Sequence, residues 1–259
     1  VYGEAGRLDA ELGRGNDRVT WLDFDSVGGA SNVDLGGGDN VAEMYGVFGT
    51  LTAGSGNDSV DYSHRSGAGT STIVTGAGDD FVNAAYFSGD TSDIFTVDLG
   101  DGWDQISVRS FSDAVFVQLV DGAATVMEEA TRTATGLSVT GVEQIEGTNH
   151  ADVMLGDTGN NVLNGRIGGD TLSGLGGDDL LMTVGIDDDI FDGGADTDTV
   201  AFAGDGPGAT ADLRLTGAQD TGHGLDTLIS IENLIGTANP DAFYGDDLDN
   251  RLDGGLGGQ

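Results

Sequence analysis

Glycine and an acidic or amide residue return every nine residues between Gly147 and Ala201. In ninefold register the stretch reads GTNHADVML, GDTGNNVLN, GRIGGDTLS and GLGGDDLLM, slips by one residue at Thr183, and continues as VGIDDDIFD and GGADTDTVA. The sixth position holds Asp152, Asn161, Asp170, Asp179, Asp189 and Asp198. The eighth position is apolar, with Met154, Leu163, Leu172, Leu181, Phe191 and Val200. A six-residue turn followed by a three-residue strand accounts for this spacing, so the sequence predicts a solenoid of stacked coils.

The turns of this stretch offer oxygen ligands for a hard cation. Ca²⁺ takes about 6–8 oxygens from carboxylates and backbone carbonyls, and glycine lets those carbonyls crowd together. One carboxylate per turn is too few, but two turns 18 residues apart supply two carboxylates and several carbonyls. We therefore expect two ligand columns: Asp152, Asp170 and Asp189 on one side, and Asn161, Asp179 and Asp198 on the other. The glycines expected at these sites are Gly147, Gly156, Gly165, Gly168, Gly174, Gly176 and Gly193.

The first hundred residues carry a looser form of the pattern. Gly-x-Gly-x-Asp-x-apolar occurs four times, with Asp17, Asp58, Asp80 and Asp104 as candidate ligands, and a weaker copy has Asn40 in the aspartate place. Between these turns lie β-rich runs: VTWLDF, SVDYSH, STIVT, DFVNAAYF, IFTVDL and QISVRSF. Period-two alternation with β-branched and aromatic residues predicts strands there. Only Ala124–Arg132 has a short helical pattern, and a loop or hairpin is an equal alternative for it.

A second copy of the nine-residue stretch begins 89 residues after the first. Gly236 matches Gly147, and the match continues through Asp241 and Asn250, which join the candidate ligands. We therefore divide the chain into five segments. They are a looser solenoid (1–109), a connector (110–146), a nine-residue repeat block (147–205), a second connector (206–235) and the beginning of a further block (236–259). Each connector is expected to contain short strands.

The charge balance favours cations as partners. The chain has 45 acidic residues and 9 basic ones, for a net charge of −36, and such self-repulsion opposes compaction. Nucleic acid is excluded as a partner because phosphate binding needs a basic surface. High charge with many glycines is also typical of disorder. However, 37% of the residues are hydrophobic and lie at fixed offsets from the glycines, so we expect folding with calcium.

Several other classes of function find no support in the sequence. Without cysteine the chain can form neither disulfides nor thiolate metal sites, and no apolar run is long enough to span a membrane. Adjacent carboxylates such as Asp178 and Asp179 could act as acid and base, but the repeat already explains them. We therefore predict that the chain is not an enzyme. The three histidines, His64, His150 and His223, are expected at the surface.

The nine-residue pattern resembles the calcium-binding repeat of the RTX (repeats-in-toxin) proteins, the hemolysin-type repeat. The resemblance covers Glu143–Ala201 and Glu232–Gln259, and more loosely the first hundred residues. It implies a parallel β-roll with several calcium ions in its turns. It also implies type I secretion from a Gram-negative bacterium, and hence an extracellular or cell-surface location. Asn161 and Asn250 depart from the pattern and lower the charge of their sites.

The leading functional hypothesis is a calcium-binding structural module of a large secreted or surface protein. Extracellular calcium modules bind at roughly 10⁻⁴–10⁻³ M, so the chain is expected to stay unfolded in low-calcium cytosol and to fold outside the cell. One alternative is self-assembly with other copies of the chain into a surface layer, filament or adhesin. Another is an accessory module of an exported protease or polysaccharide-modifying enzyme, with the catalytic domain outside this chain.

Overall fold

The computed structural model describes residues 2–3, 9–22, 31–46, 49–63, 70–85, 94–128, 134–203 and 206–256. Every regular element in these ranges is a β-strand and none is a helix, which confirms the all-β prediction. Accordingly, no helix in the described ranges is suited to crossing a membrane. The chain forms two compact units. The first comprises Val1–Ser112, Gly122–Glu128 and Arg132–Ile145, and the second comprises Asp113–Asp121, Glu129–Thr131 and Glu146–Gln259.

The strands are short and follow one another closely along the chain. Those up to the first repeat block are β1 (Tyr2–Gly3), β2 (Asp9–Glu11), β3 (Arg18–Leu22), β4 (Asn32–Asp34), β5 (Val41–Tyr45), β6 (Thr50–Ser55), β7 (Ser59–Ser63), β8 (Thr70–Ala77), β9 (Phe81–Ala85), β10 (Ile94–Asp101), β11 (Gln105–Ser107), β12 (Val115–Val120), β13 (Ala123–Glu128), β14 (Ala134–Thr140) and β15 (Gln144–Glu146). The remaining strands are β16 (Val153–Leu155), β17 (Val162–Arg166), β18 (Thr171–Gly176), β19 (Leu180–Val184), β20 (Ile190–Ala195), β21 (Thr199–Ala203), β22 (Thr210–Asp212), β23 (Gln219–Asp220), β24 (Leu225–Ile229), β25 (Asn233–Ile235), β26 (Ala242–Tyr244) and β27 (Arg251–Asp253).

The first unit is a parallel solenoid whose successive strands alternate between two sheets. One sheet has the order β1-β3-β5-β7-β9-β11, and the other has the order β2-β4-β6-β8-β10-β14-β13. Side chains alternate between buried and partly exposed along strands such as β5 and β8, as a period of two requires. Equivalent residues stack in parallel register, so that Leu51, Ile73 and Val97 form one fully buried row. The strands expected in this region are confirmed where the structure describes them; residues 23–24, 64 and 86–87 of the expected runs lie outside the described ranges, and the last strand ends at Ser107.

One hairpin interrupts the parallel pattern of the first unit. β13 pairs with β14 in antiparallel register, so the described part of the Ala124–Arg132 segment is a strand of a hairpin and not a helix. Residues 129–132 of that segment lie outside the described ranges.

The second unit is also a parallel solenoid. Its larger sheets have the orders β12-β16-β18-β20-β24-β23 and β17-β19-β21-β25-β27, and β22 pairs with β26 in a small third sheet. The eighth positions of the repeat face inward and stack row upon row, as expected: Met154, Leu172 and Phe191 align in one sheet, and Leu163, Leu181 and Val200 in the other. Burying each such side chain contributes about 1.5–3 kcal/mol. β12, β24 and β25 are strands within the segments predicted as connectors.

Candidate metal centre

The sixth-position side chains of the second unit are buried and linked from coil to coil. In one column the N–H of Asp152 donates to Oδ1 of Asp170 (2.8 Å), and the N–H of Asp170 donates to Oδ1 of Asp189 (2.7 Å). In the other column the N–H of Asn161 donates to Asp179 (2.7 Å), and that of Asp179 to Asp198 (2.9 Å). The two columns expected from the spacing are present, and we call each such chain of bonds a buried ladder.

The first unit contains one buried ladder of the same kind. The N–H of Asp17 donates to Oδ1 of Asn40 (3.0 Å), and Asn40 donates to Asp58 (2.8 Å). Asp58 donates in turn to Asp80, and Asp80 to Asp104, each across 2.7 Å. The Gly-x-Gly-x-Asp pattern and the nine-residue repeat therefore produce the same local arrangement, in which one side-chain oxygen of each rung joins two coils.

The second carboxylate oxygen of most rungs has no partner among the described residues. These buried Oδ2 atoms belong to Asp17, Asp58, Asp80, Asp104, Asp170, Asp179, Asp198 and Asp241. Asp104, Asp170, Asp179 and Asp198 are at most 2% exposed, so water does not compensate these atoms. A buried polar atom without a partner costs about 1–3 kcal/mol, and more when it is charged. Each of these turns is therefore incomplete without a proton or a cation.

Burial also raises the pKa values of the carboxyl groups in the ladders. Burial raises the pKa of Asp170 to about 8, a backbone N–H bond partly opposes the rise, and the charges of Asp152 and Asp189 add to it. For the same main reason, burial, the pKa rises to about 7 for Asp179 and Asp189, and to about 6 for Asp104 and Asp198. The pKa values of Asp58, Asp152 and Asp226 are raised as well, again chiefly by burial. At pH 7 the Asp170 carboxyl, whose pKa is about 8, therefore needs positive charge nearby to be mainly ionised.

Asn40 shows what surrounds the second oxygen of a rung. Its side-chain NH₂ donates to the carbonyl oxygens of Gly38 (2.7 Å) and Ala53 (3.1 Å). An aspartate at the same place has no hydrogen to donate, so its second oxygen would face these acceptors directly. The amide of Asn40 thus supplies a hydrogen-bond donor at this place, and the neighbouring Asp58 rung lacks such a donor.

Where a nine-residue repeat begins with glycine, that glycine packs directly against the side chain of the sixth residue. A Cβ atom on Gly147 would lie 2.6 Å from Oδ2 of Asp152 and 3.2 Å from the carbonyl oxygen of Gly165 on the next coil. A Cβ atom on Gly174 would collide with Oδ2 of Asp179 and lie 2.7 Å from the Gly193 carbonyl oxygen. Carboxylate and carbonyl oxygens therefore converge on the space that a side chain would fill.

The other predicted glycines lie as follows. The same collision with the sixth residue occurs for Cβ atoms on Gly156, Gly165 and Gly193. Gly168, with φ of +132°, stacks against the backbone of the preceding coil, whereas a Cβ atom on Gly176 would meet only the Thr158 Cα at 3.9 Å. Gly176 therefore has space around it and is not packed against the carboxylate.

The donor set fits a calcium ion better than a transition metal. Within the described ranges, no three acidic or histidine side chains form a group that could hold a metal by themselves, and each turn contributes at most one buried carboxylate. The remaining ligands must come from backbone carbonyls. Calcium accepts such oxygen-rich, irregular sets, whereas zinc favours four nitrogen or sulfur ligands in tetrahedral geometry. Calcium, the ion that the repeat implies, therefore fits these turns. The Oδ2 atoms there have no hydrogen-bond donors, and the glycine carbonyls add further oxygen ligands.

Three rungs differ because a threonine satisfies the second oxygen. The N–H of Thr148 donates to Oδ2 of Asp152 (2.7 Å), and its hydroxyl reaches both oxygens. The hydroxyl of Thr183, the residue at which the register slips, donates to Oδ2 of Asp189 (2.7 Å). Thr221 donates in the same way to Asp226. The inserted residue at Thr183 therefore supplies a donor, and the rungs on either side of it are 19 residues apart instead of 18.

The remaining predicted ligands also accept backbone donors. The Asp157 N–H donates to Oδ1 of Asn161 (2.9 Å), and the Asp246 N–H donates to Oδ1 of Asn250 (2.8 Å). Oδ1 of Asp241 accepts the N–H of Ala209 (2.7 Å), but its Oδ2 has no partner. A metal-binding role for all of these residues stays a prediction.

The ladders contain three acids that the sequence reasoning missed. Asp226 accepts the N–H of Asp189 (2.9 Å), and Glu143 and Glu232 accept the N–H groups of Asp104 and Asp198 (2.9 Å each). A signal for each was available. Gly222–Leu228 is a further copy of Gly-x-Gly-x-Asp-x-apolar, and Glu143 and Glu232 are 89 residues apart, the offset of the internal repeat.

His223 corrects the expectation that the histidines lie at the surface. It is 6% exposed, and its Nδ1 and Nε2 lie 3.2 Å and 3.0 Å from the carbonyl oxygens of Gly185 and Pro207. His150 is exposed as expected, and His64 lies outside the described ranges. His223 is a packing residue of the second connector, and nothing in its spacing distinguishes it from the other two.

A second, exposed ladder runs beside the buried one in the first unit. The residues just before the rungs form it: Oδ1 of Asn16 accepts the N–H of Asp39 (3.0 Å), Asp39 accepts that of Asn57 (3.0 Å), and Asn57 accepts that of Asp79 (3.1 Å). Here the acceptor lies on the earlier coil, whereas in the buried ladder it lies on the later coil. The N–H groups of the two ladders therefore donate in opposite directions along the stack of coils.

No protein-family model matches this chain, and no match is found among curated proteins. The resemblance to RTX repeats therefore depends on the repeat pattern alone. The parallel solenoid is the fold that this pattern predicts.

Proposed function

We propose that this chain is a calcium-binding structural module of the RTX type, in which metal binding completes the fold. The single observation that supports it best is the set of buried Oδ2 atoms without partners. They recur along the ladders of both units, and at Asp179 and Asp198 a backbone carbonyl oxygen of the next coil converges with the carboxylate on the same glycine. Calcium supplies two positive charges at that place, and because the site does not exist in the unfolded chain, its binding energy becomes folding energy.

The calcium concentration that the sites need indicates where the chain folds. A site that is 100-fold above its dissociation constant stabilises the folded state by about 2.7 kcal/mol if the unfolded state does not bind. Several such sites offset the repulsion of a chain with net charge −36. With affinities of roughly 10⁻⁴–10⁻³ M, the sites fill outside a cell and stay empty in cytosol. We therefore propose secretion and action at the outside of a Gram-negative bacterium.

Circular dichroism and calorimetry test the function together. Addition of millimolar calcium to the chelated chain should increase the β signal, and excess chelator should reverse the change. Magnesium is the control, because it demands near-octahedral geometry and releases water reluctantly, so it should produce little change. A β spectrum that is identical with and without chelator, together with no heat of calcium binding, would refute the proposal.

A further inference from the structure

The residue four positions before each rung adopts one of two backbone conformations. In the first unit this residue is a glycine in the left-handed region: Gly13, Gly36, Gly54, Gly76 and Gly100, with φ between +80° and +109°. In the nine-residue repeats it is the second residue of the turn. There Arg166 and Leu175 have φ of +74° and Gly194 has φ of +103°. An L-residue such as leucine rarely adopts this conformation.

Most left-handed turns leave the second carboxylate oxygen without a partner. In the Asp189 and Asp226 turns, Gly185 and Gly222 also have positive φ (+132° and +81°), but a threonine hydroxyl donates to Oδ2. With the residue in this conformation, its N–H does not point to the rung: the N–H of Arg166 donates instead to Oδ1 of Asn164 (3.1 Å). Seven rungs have a left-handed residue four positions earlier and an Oδ2 atom with no partner, namely Asp17, Asp58, Asp80, Asp104, Asp170, Asp179 and Asp198. We call these open turns.

A threonine or aspartate at the same position closes the turn. The N–H groups of Thr148, Asp157, Thr237 and Asp246 donate to the rung side chain four residues later, at 2.7, 2.9, 3.3 and 2.8 Å. The side chain of the same residue accepts an N–H two residues on, from His150, Gly159, Asn239 and Leu248 respectively. This local bond is the turn that Ser, Thr, Asn and Asp side chains favour. It holds the backbone so that the N–H faces the rung.

We propose that this residue decides which turns require calcium. The proposal rests on the proposed calcium function. An open turn presents a carboxylate oxygen that only a cation or a proton can satisfy. In a closed turn the protein supplies a hydrogen-bond donor in place of the cation, so the Asp152 and Asn161 turns fold without metal.

The order of the turns gives this difference a role. Both copies of the nine-residue block begin with two closed turns, at Thr148 and Asp157 and again, 89 residues later, at Thr237 and Asp246. Open turns follow at Arg166, and Gly255 at the matching position of the second copy also has positive φ (+60°). The first block therefore starts with a metal-independent cap of two turns, on which the calcium-dependent turns stack. In the second copy Thr237 donates to Oδ1 of Asp241, and Oδ2 of that residue still has no partner.

A matched pair of substitutions tests the proposal through the number of ions bound. Asp179→Asn removes the charged, unpartnered oxygen of an open turn, whereas Asp152→Asn changes the equivalent residue of a closed turn. Calcium binding to the full chain is measured by calorimetry and equilibrium dialysis, under saturating calcium that keeps both variants folded. Asp179→Asn should bind fewer ions than the wild type, and Asp152→Asn should bind the same number. Equal losses in both variants, or no loss in Asp179→Asn, would overturn the proposal.

An exchange of turn sequences provides a second test that does not touch a rung. Replacing residues 175–178, LGGD, with TNHA from residues 148–151 should close the Asp179 turn, reduce the number of bound ions and raise stability in chelator. Replacing the same residues with RIGG, from the open turn at 166–169, is the control and should change neither quantity. If TNHA leaves both quantities at their wild-type values, this residue does not select the metal. A wild-type chain that binds no calcium at all would instead refute the proposed function.

Discussion

The N–H of Asp179 donates to Oδ1 of Asp198 across 2.9 Å, while Oδ2 of each residue is buried without a partner. The two oxygens of one carboxylate therefore have different tasks. Oδ1 fixes the distance between coils, and Oδ2 is available to a cation. Replacing an aspartate rung with asparagine keeps the first task and removes the second, which explains how Asn40 occupies a rung position without breaking the ladder: its Oδ1 accepts the N–H of Asp17 on the preceding coil.

Without calcium, stability should depend on pH in the direction opposite to ordinary acid denaturation. The pKa of Asp170 is about 8 in the folded chain, against an ordinary value of 3.8, and that of Asp179 is about 7. The folded state thus holds protons that the unfolded state releases, and the stability they contribute is full below about 4 and is lost as pH rises through 7 to 8. In chelator, the urea midpoint should fall between pH 5 and pH 8.

The control for this pH dependence is Asp170→Asn, which removes one of the raised carboxyls and should flatten the slope. Saturating calcium should flatten it too, because calcium displaces the protons, and proton release on calcium addition should be measurable in weakly buffered solution. A chelated chain whose midpoint rises from pH 5 to pH 8 would contradict the assignment of raised pKa values.

Alanine at Gly174 should destabilise the second unit. The added Cβ would collide with Oδ2 of Asp179 and approach the Gly193 carbonyl oxygen to 2.7 Å, and forced overpacking of this kind costs about 1–3 kcal/mol. Gly176→Ala, in the same turn, is the matched control, because its Cβ would meet only the Thr158 Cα at 3.9 Å. Urea denaturation in calcium measures both variants, and equal stabilities would show that the carboxylate does not require the glycine.

Asn40→Asp should make the first unit more dependent on calcium. The substitution replaces an amide that donates to the Gly38 and Ala53 carbonyls with a carboxylate that faces them. In chelator we expect a loss of about 1–3 kcal/mol, the cost of a buried group without a partner, and addition of calcium should recover most of it. Asp58→Asn is the reverse change and should stabilise the chelated chain. If both variants lose equal stability in chelator, the environment of the rung is not composed of acceptors.

The core of the second unit should respond to truncation in the way expected of a thin two-sheet interior. Phe191→Ala removes a side chain that is 1% exposed between two sheets and should cost about 3–5 kcal/mol. Its neighbour Ile190 points outward and is 41% exposed, so Ile190→Ala should change stability by less than about 1 kcal/mol. Thermal denaturation in saturating calcium compares them. Similar losses of stability in the two variants would show that the Phe191 side of β20 does not face the core.

Much of the arrangement can be predicted from periodicity. The ninefold spacing predicts that Asp152, Asp170 and Asp189 form one column, and the apolar eighth positions predict the core, because stacking brings equivalent residues together. The spacing does not predict which oxygens lack partners. That depends on φ at single residues such as Leu175, where a left-handed conformation is unusual for leucine and has no signature in composition.

Other features depend on contacts between distant parts of the chain. His223 is buried because the carbonyls of Gly185 and Pro207 lie on either side of its ring, and no local pattern predicts that. Asp226 was accessible in principle, because Gly222 and Gly224 precede it in the same pattern as in the first unit. Its place in the ladder is not evident from the spacing because it lies 37 positions after Asp189 in the sequence, and not 18 or 19.

The buried ladders also give each solenoid unit a direction of growth. In the buried ladders, each N–H donated from a rung to a side chain goes to a coil that comes later in the sequence, from the Asp17–Asn40 bond to the Asp198–Glu232 bond. Deleting coils from the C-terminal side therefore removes the acceptor of a buried N–H, whereas deleting them from the N-terminal side removes acceptors only from the exposed ladder. The two ends of such a stack are therefore chemically unequal, as in a polar filament. Each coil added at the C-terminal end supplies the acceptor that the buried N–H of the previous coil needs.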